Sequence, residues 1–259
     1  MGDYIFGRNA VLEYLKQGGE AEKLFVAKDS MKGVVHRIVA LARDQKLPVI
    51  ETDQRKLERM AEGGNHQGVA LLATQFHYAE LDDMLQAAKK AGHAPLIILL
   101  DELTDPHNVG AIIRSAECVG ADGVLLPIRR SATITSTVHK VSSGATSYVP
   151  IGRINNVNQT IDRLKKENIW VYGADSLAKQ SFWKTDFSGG VCLVIGNEGK
   201  GLSELTRKKC DALVSIPLQG HLDSLNASCA ATVLMYEVLR GRLESQQIES
   251  DASHEYTGA

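Results

Sequence analysis

Three stretches of the chain carry residue types that could hold and turn over a ligand, and each follows an apolar run. The first, LVIGNEGKGLSEL (Leu193–Leu205), sets Gly196, Gly199 and Gly201 around Glu198 and Lys200. A phosphate cradle is the obvious reading, and the spacing refuses it. A Walker A loop needs Ser or Thr directly after GxxxxGK, whereas Gly201 and Leu202 follow Lys200. The dinucleotide fingerprint GxGxxG follows the first strand of its unit, and here GxxGxG follows a late one. Glu198 adds a charge that an anion would oppose. The expected occupant is neutral or cationic, held where glycine permits close backbone approach; a plain Gly turn is the alternative.

The second stretch, IPLQGHLDSLNAS (Ile216–Ser228), crowds Ser224, Asn226 and Ser228 at the start of a long helical pattern. Ser224 reads either as an N-cap or as a site residue. Asn226 is harder to dismiss, because a helix interior disfavours it. The third, DELTDPHNVGAIIR (Asp101–Arg114), offers Asn108 as a cap or a polar anchor. Arg114 is a lone cation among Val109, Ala111, Ile112, Ile113 and Ala116, either snorkelling or functional.

The elements that must position these loops form two α/β blocks. In residues 1–76, NAVLEYLKQ reads as a short helix capped by Asn9, KLFVAK as a strand, and MKGVVHRIVALARDQ as a helix with Val35, Ile38, Val39 and Ala42 on one face. PVIETD, QRKLERMAE and GVALLAT continue the alternation, the helix stopping at Gly63-Gly64. Residues 77–95 read as one amphipathic connecting helix. Residues 96–244 alternate apolar strands with helices, which requires a mostly parallel sheet covered on both faces. Ligands in such sheets collect at the carboxyl ends of the strands, where the three loops lie. Residues 245–259 are polar, aperiodic and acidic, and read as disordered.

Bulk properties set outer bounds. A chain of 259 residues with 44% hydrophobic content can bury a sizeable core. No apolar run approaches the ~18 residues of a membrane span, and the start has no secretory apolar region. The expected location is the cytoplasm. The four cysteines form no CxxC pair, so no metal site is expected and reduced thiols are. Net charge is −2, with the acidity in the tail, so any nucleic acid must meet local basic patches.

Taken together, Asn108 and Arg114, then GNEGKGL, then IPLQGHLDSLNAS resemble the three ordered motifs of the SpoU (TrmH) family of SPOUT methyltransferases, across about 150 residues. The N-terminal block is similar to the small RNA-binding domain that some members carry. Within the family the chain most resembles the RlmB type, which methylates a guanosine 2′-hydroxyl of large-subunit (23S) ribosomal RNA. The resemblance implies a C-terminal parallel-sheet domain with a deep trefoil knot, S-adenosylmethionine as cofactor and a homodimer. It implies Gly196, Asn197, Gly201, Ile216 and Leu225 at the cofactor, and Arg114, Asn108, Glu198, Ser224 and Asn226 as the catalytic group. RNA contacts are expected from Arg129, Arg130 and Lys140 in the Ser/Thr-rich IRRSATITSTVHK segment, which reads equally as a solvated polar loop, and from Arg8, Asn9 and His66. His66 reads equally well as a turn residue. A transfer-RNA ribose methyltransferase and a non-catalytic RNA-binding or ribosome-assembly protein on the same scaffold are the rival readings.

Overall fold

The computed structural model describes residues 3–16, 21–62, 64–73 and 76–255. The chain divides into two compact units, Met1–His77 with Ile134–Thr137, and Tyr78–Thr133 with Val138–Ala259. The first contains β1 (Asp3–Phe6), α1 (Arg8–Lys16), β2 (Ala21–Ala27), α2 (Val34–Asp44), β3 (Val49–Thr52), α3 (Gln54–Met60) and β4 (Val69–Ala73). Its described sheet runs β1-β4-β2-β3, with β4 antiparallel to both neighbours and β2 parallel to β3. The apolar stripe read from the α2 sequence is fully used. Val35, Ile38, Val39 and Ala42 pack with Val11 and Leu15 of α1 on one sheet face, and Leu57 of α3 packs with Phe25 and Ala70 on the other.

One local expectation is corrected. α1 begins at Arg8, one residue before the expected Asn9 cap, and the Val11 N–H reaches the Gly7 carbonyl instead. The N-terminal strand β1 went unread because its four residues lack a clear alternation. Of the Gly63-Gly64 stop, Gly63 lies outside the described residues.

The second unit contains α4 (Leu81–Ala91), β5 (Leu96–Leu100), α5 (Pro106–Cys118), β6 (Gly123–Pro127), all but the first two residues of α6 (Ser136–Val141), β7 (Ile151–Ile154), α7 (Val157–Lys166), β8 (Ile169–Ala174), β9 (Gln180–Ser181), β10 (Gly190–Ile195), α8 (Glu204–Lys209), β11 (Ala212–Ser215) and α9 (Ala227–Glu255). Its described strands are all parallel, in the order β7-β6-β5-β10-β8-β11-β9. β5, β6 and β10 are almost wholly apolar, as strands covered on both faces must be. Cys192 and Cys210 lie in this core, while Cys118 and Cys229 are exposed on α5 and α9. No described helix is long and apolar enough to cross a membrane.

The stretch 77–95 is not a free connection. α4 buries Leu81, Met84 and Ala88 in the second unit, and Met84 fills space that two glycines leave open. A Cβ on Gly123 would stand 2.3 Å from the Met84 sulfur, and one on Gly152 would stand 3.1 Å from its methyl carbon. The reading of a disordered acidic tail is likewise overturned through residue 255. α9 continues to Glu255 because nothing stops it. Glu and Gln are good helix formers, no Pro intervenes, and Arg240 pairs with both Glu237 and Glu244 along the helix. Residues 256–259 of that tail lie outside the described residues.

Truncating the keyed methionine tests whether α4 belongs to the core. Met84→Ala is expected to lower unfolding free energy by about 2–5 kcal/mol in urea titration. A change below about 0.5 kcal/mol, as for a surface position, would return the segment to a linker.

Candidate active site

Four neighbouring strands, β5, β10, β8 and β11, direct their carboxyl ends to one edge of the sheet. A cavity of about 310 Å³ lies there. Ala174–Leu177 after β8, Ile195–Leu202 after β10 and Ile216 and Leu218 after β11 supply three walls. Arg207 of α8, Asp223–Leu225 and the apolar Ala227, Ala230 and Leu234 of α9 complete it.

The glycine loop answers the question its sequence raised, though not as expected. A Cβ on Gly196 would lie 2.4 Å from the Gly201 carbonyl carbon and 2.5 Å from the Leu202 nitrogen. The close approach is to the loop's own backbone. Asn197 and Gly201 exchange two backbone hydrogen bonds, at 3.1 and 2.8 Å, and Gly201 turns the chain at φ +65°. The Asn197 side chain closes the turn from inside, its Oδ1 accepting the N–H groups of Gly199 (3.0 Å) and Lys200 (3.3 Å). Its Nδ2 donates to the Glu102 carbonyl at 3.1 Å, tying the loop to the end of β5. Asn197 therefore lines the cavity, but its side chain is committed to shaping it. Glu102 also faces the basic segment, its carboxylate accepting from Arg130 at 2.9 Å.

Asp101, the residue following β5, anchors the far side of the same loop. Its carboxylate is buried and accepts from the Ser203 N–H and the Thr206 hydroxyl at the start of α8. Burial pushes its pKa above the ordinary carboxylate range, more strongly than these two hydrogen bonds pull it down.

A polar relay joins the starts of α5 and α9. Asp105, not Asn108, caps α5, accepting the His107 N–H at 3.0 Å. Its second oxygen accepts from Asn108 Nδ2, also at 3.0 Å, and the Asn108 bond then the His107 bond hold Asp105 below the usual carboxylate range. Asn108, buried, in turn accepts from Asn226 Nδ2 at 2.9 Å. Asn226 Oδ1 accepts the N–H groups of Ser228 (2.9 Å) and Cys229 (3.3 Å), so Asn226 caps α9. A carboxylate at one end and backbone donors at the other leave each amide one orientation. Of the two readings of Ser224, the N-cap is thereby excluded. The helix starts at Ala227, and Ser224 is exposed on the cavity wall with its hydroxyl on Asp223.

Gly196, Asn197, Gly201, Ile216, Leu225, Glu198 and Ser224 all line the cavity. Asn108 and Asn226 meet beside it. Arg114 does not join them: it is exposed on α5, outside the lining, and makes no hydrogen bond or ion pair among the described residues. Arg129 and Lys140 are exposed. The 128–132 loop is braced by Arg153, which donates to the carbonyls of Ile128 and Ala132. In the first unit the Arg8 backbone and side chain donate to Gln67, joining the two expected RNA-facing loops, and Asn9 stays exposed. His66 is buried and its Nδ1 accepts the Gly68 N–H at 3.1 Å, which makes it the turn residue, not a presented contact.

Sequence reading missed Asp175–Leu177 and Arg207. The signal was available, since Asp175 ends the apolar run IWVYGAD and strand ends are where ligands gather. Among the described residues no group of three or more potential metal ligands occurs.

Comparison with known proteins converges on one family. Residues 95–236 match the model of the SpoU rRNA methylase family, and residues 4–79 match that of the RNA 2′-O ribose methyltransferase substrate-binding domain. YacO of Bacillus subtilis, named for the TrmH family of tRNA/rRNA methyltransferases, is 42% identical over 93% of this chain and 96% of its own. The SpoU methyltransferase AviRb of Streptomyces viridochromogenes, solved with the cofactor AdoMet, superposes with a TM-score of 0.61 at 25% identity, over 93% of this chain and 90% of its own. An AdoMet-bound rRNA methyltransferase of Sinorhizobium meliloti superposes at 0.57 and 25% identity, over 92% and 86%.

Two substitutions separate the loop's glycines. Gly196→Ala is expected to cost about 1–3 kcal/mol or more in thermal or chemical unfolding, because backbone must give way. Gly199→Ala, whose Cβ would meet only the Asn197 oxygen at 3.7 Å, should stay within about 0.5 kcal/mol. A second prediction concerns Asp101. Its pKa is raised on folding, so the folded state holds the proton more tightly. Stability is then lost as pH rises from 3.8 through the folded pKa. Asp101→Asn should flatten the stability profile across that window; an unchanged slope would exclude Asp101 as its source.

Proposed function

The chain belongs to the SpoU rRNA methylase family, and from that membership we propose that it transfers a methyl group from S-adenosylmethionine to a ribose 2′-hydroxyl of RNA. The cavity carries this reading, because its chemistry suits the cofactor. Three carboxylates line it, Asp175, Glu198 and Asp223, against two cations, Lys200 and Arg207. That balance is negative, while the cofactor has two cationic groups and one carboxylate. The volume falls at the lower end of the about 300–1,000 Å³ of small-molecule sites. Backbone around Gly196 and Gly201, with Ile216 and Leu225, would hold the adenosine, and Asn197 keeps that backbone in shape. When bound, S-adenosylmethionine supplies an electrophilic methyl on its sulfonium.

The chain's own task is to present a 2′-oxygen and stabilise it as its proton leaves. Arginine remains protonated in proteins, so Arg114 serves as a cation that grips the neighbouring phosphate and the developing oxyanion. Its position outside its own chain's cavity supports a homodimer in which Arg114 of one copy serves the other. Val233, Tyr236 and Leu243, exposed on α9, offer apolar surface for that contact. Glu198 and Ser224 orient the sugar from the cavity wall, and the Asn108–Asn226 relay sets the angle between α5 and α9. Membership of the family carries with it a trefoil-knotted path through the second unit.

The finer reading is a guanosine of 23S ribosomal RNA. Its support is the N-terminal unit, since the S. meliloti rRNA methyltransferase resembles this chain over 92% of its length, both units included. Arg8 and Asn9 in that unit, and Arg129, Arg130 and Lys140 in the second, make the backbone contacts.

Transfer of tritium from methyl-labelled S-adenosylmethionine tests the whole reading, with undermethylated large-subunit RNA and transfer RNA as parallel substrates. One guanosine of the ribosomal RNA should become resistant to alkaline cleavage, and Arg114→Ala should slow labelling about a hundredfold or more. Label confined to transfer RNA moves the substrate there. Tight RNA binding without label in either overturns the catalytic assignment.

A further inference from the structure

Resting on the cofactor reading above, we propose that Arg207 receives the carboxylate at the methionyl end of S-adenosylmethionine and that Asp175 positions Arg207 for it. The cofactor carries one anionic group, and two cations line the cavity, Lys200 and Arg207. Lys200 is exposed in the glycine loop, on a flexible stem. Arg207 is held. Its Nη2 lies 2.6 Å from Asp175 Oδ2, and the Asp175 side chain is only 8% exposed against 38% for Arg207.

Asp175 is itself fixed from three sides. Its N–H donates to the Val214 carbonyl at 3.0 Å, extending the β8–β11 ladder by one residue. Its carbonyl accepts from Ala178 at 3.1 Å, and its Oδ1 accepts the Leu177 N–H at 2.9 Å. With one oxygen on Leu177 and the other on Arg207, the carboxylate is spent within the protein and is no receptor for the cofactor's ammonium. Arg207 is in the opposite condition. A guanidinium has five N–H donors in a planar fork, and the carboxylate behind it occupies one edge. Arg207 also lines the cavity, so the donors that Asp175 leaves free can serve a second carboxylate there. The pair is covered on the Asp175 side and open on the Arg207 side. Its value is to hold a charged fork where a ligand can use it.

The test is calorimetric binding to the full chain, without RNA, of two nucleosides. S-adenosylhomocysteine keeps the amino-acid end; 5′-methylthioadenosine lacks it. The wild type should prefer the former. Arg207→Gln should weaken S-adenosylhomocysteine binding about tenfold and leave 5′-methylthioadenosine within twofold, while Arg207→Lys recovers part of the loss. Equal losses for both ligands, or none for either, overturn the assignment and leave the cofactor reading standing. If the wild type binds neither nucleoside, the cofactor reading falls and the inference with it. Should Arg207→Gln fail to fold, Asp175→Asn provides the decision. It keeps the guanidinium but weakens its anchor, so the preference for S-adenosylhomocysteine should shrink; an unchanged preference overturns the proposal.

Discussion

No side chain can stand at Gly196, and the site is organised around that fact. The backbone leaving β10 passes against the backbone of Gly201 and Leu202 with no room for a methyl group. The loop therefore doubles back on itself, Asn197 seals it from inside, and its outer surface becomes a cavity wall. Everything nearby reinforces this closure. Glu102 holds the loop from β5, and Asp101 holds the first turn of α8 beyond it. The desolvation that raises the Asp101 pKa is the cost of placing a carboxylate where it can tie the start of α8 to the end of β5.

The same economy appears at the helix starts. A single hydrogen-bond relay through Asp105, Asn108 and Asn226 caps two helices and fixes their mutual position. A carboxylate that can only accept orients Asn108, backbone N–H groups that can only donate orient Asn226, and the two amides then match, so the relay has one polarity. Glu102 joins the two loop systems of the second unit, its carbonyl on the glycine loop and its carboxylate on Arg130. A shift in the loop that lines the cavity is thereby felt at a residue expected to face RNA.

Much of this was legible in the sequence. The strands β5, β6, β8 and β10 announce themselves as apolar runs, and the α2 stripe is buried as its period requires. The order and content of three loops identify the family, although S-adenosylmethionine follows from that resemblance and not from periodicity. What was not legible depended on tertiary partners. Whether Asn108 or Asp105 caps α5 is decided by a bond to Asn226, 118 residues away. α4 resembled a connection until Gly123 and Gly152 supplied a slot for Met84. The extension of α9 past Leu243 was not legible because its residues carry no apolar period to announce a helix. Asp175 and Arg207 are unremarkable alone, and they become a pair only when β8 and α8 meet at the cavity.

The distribution of thiols sets where this protein is chemically vulnerable. Cys192 is fully buried, and burial with the neighbouring Cys210 pushes its pKa well above the usual thiol range. Cys210 is pushed up to about 12, chiefly by burial. Both remain protonated at neutral pH, and a protonated thiol is a poor target for peroxide or alkylating agents. Oxidative or electrophilic attack in the native state falls instead on Cys118 and Cys229. Damage is thus diverted from the sheet that shapes the cavity to α5 and α9, the helices that carry Arg114 and the apolar residues offered to a second copy, so the core withstands an insult that reaches its assembly surface.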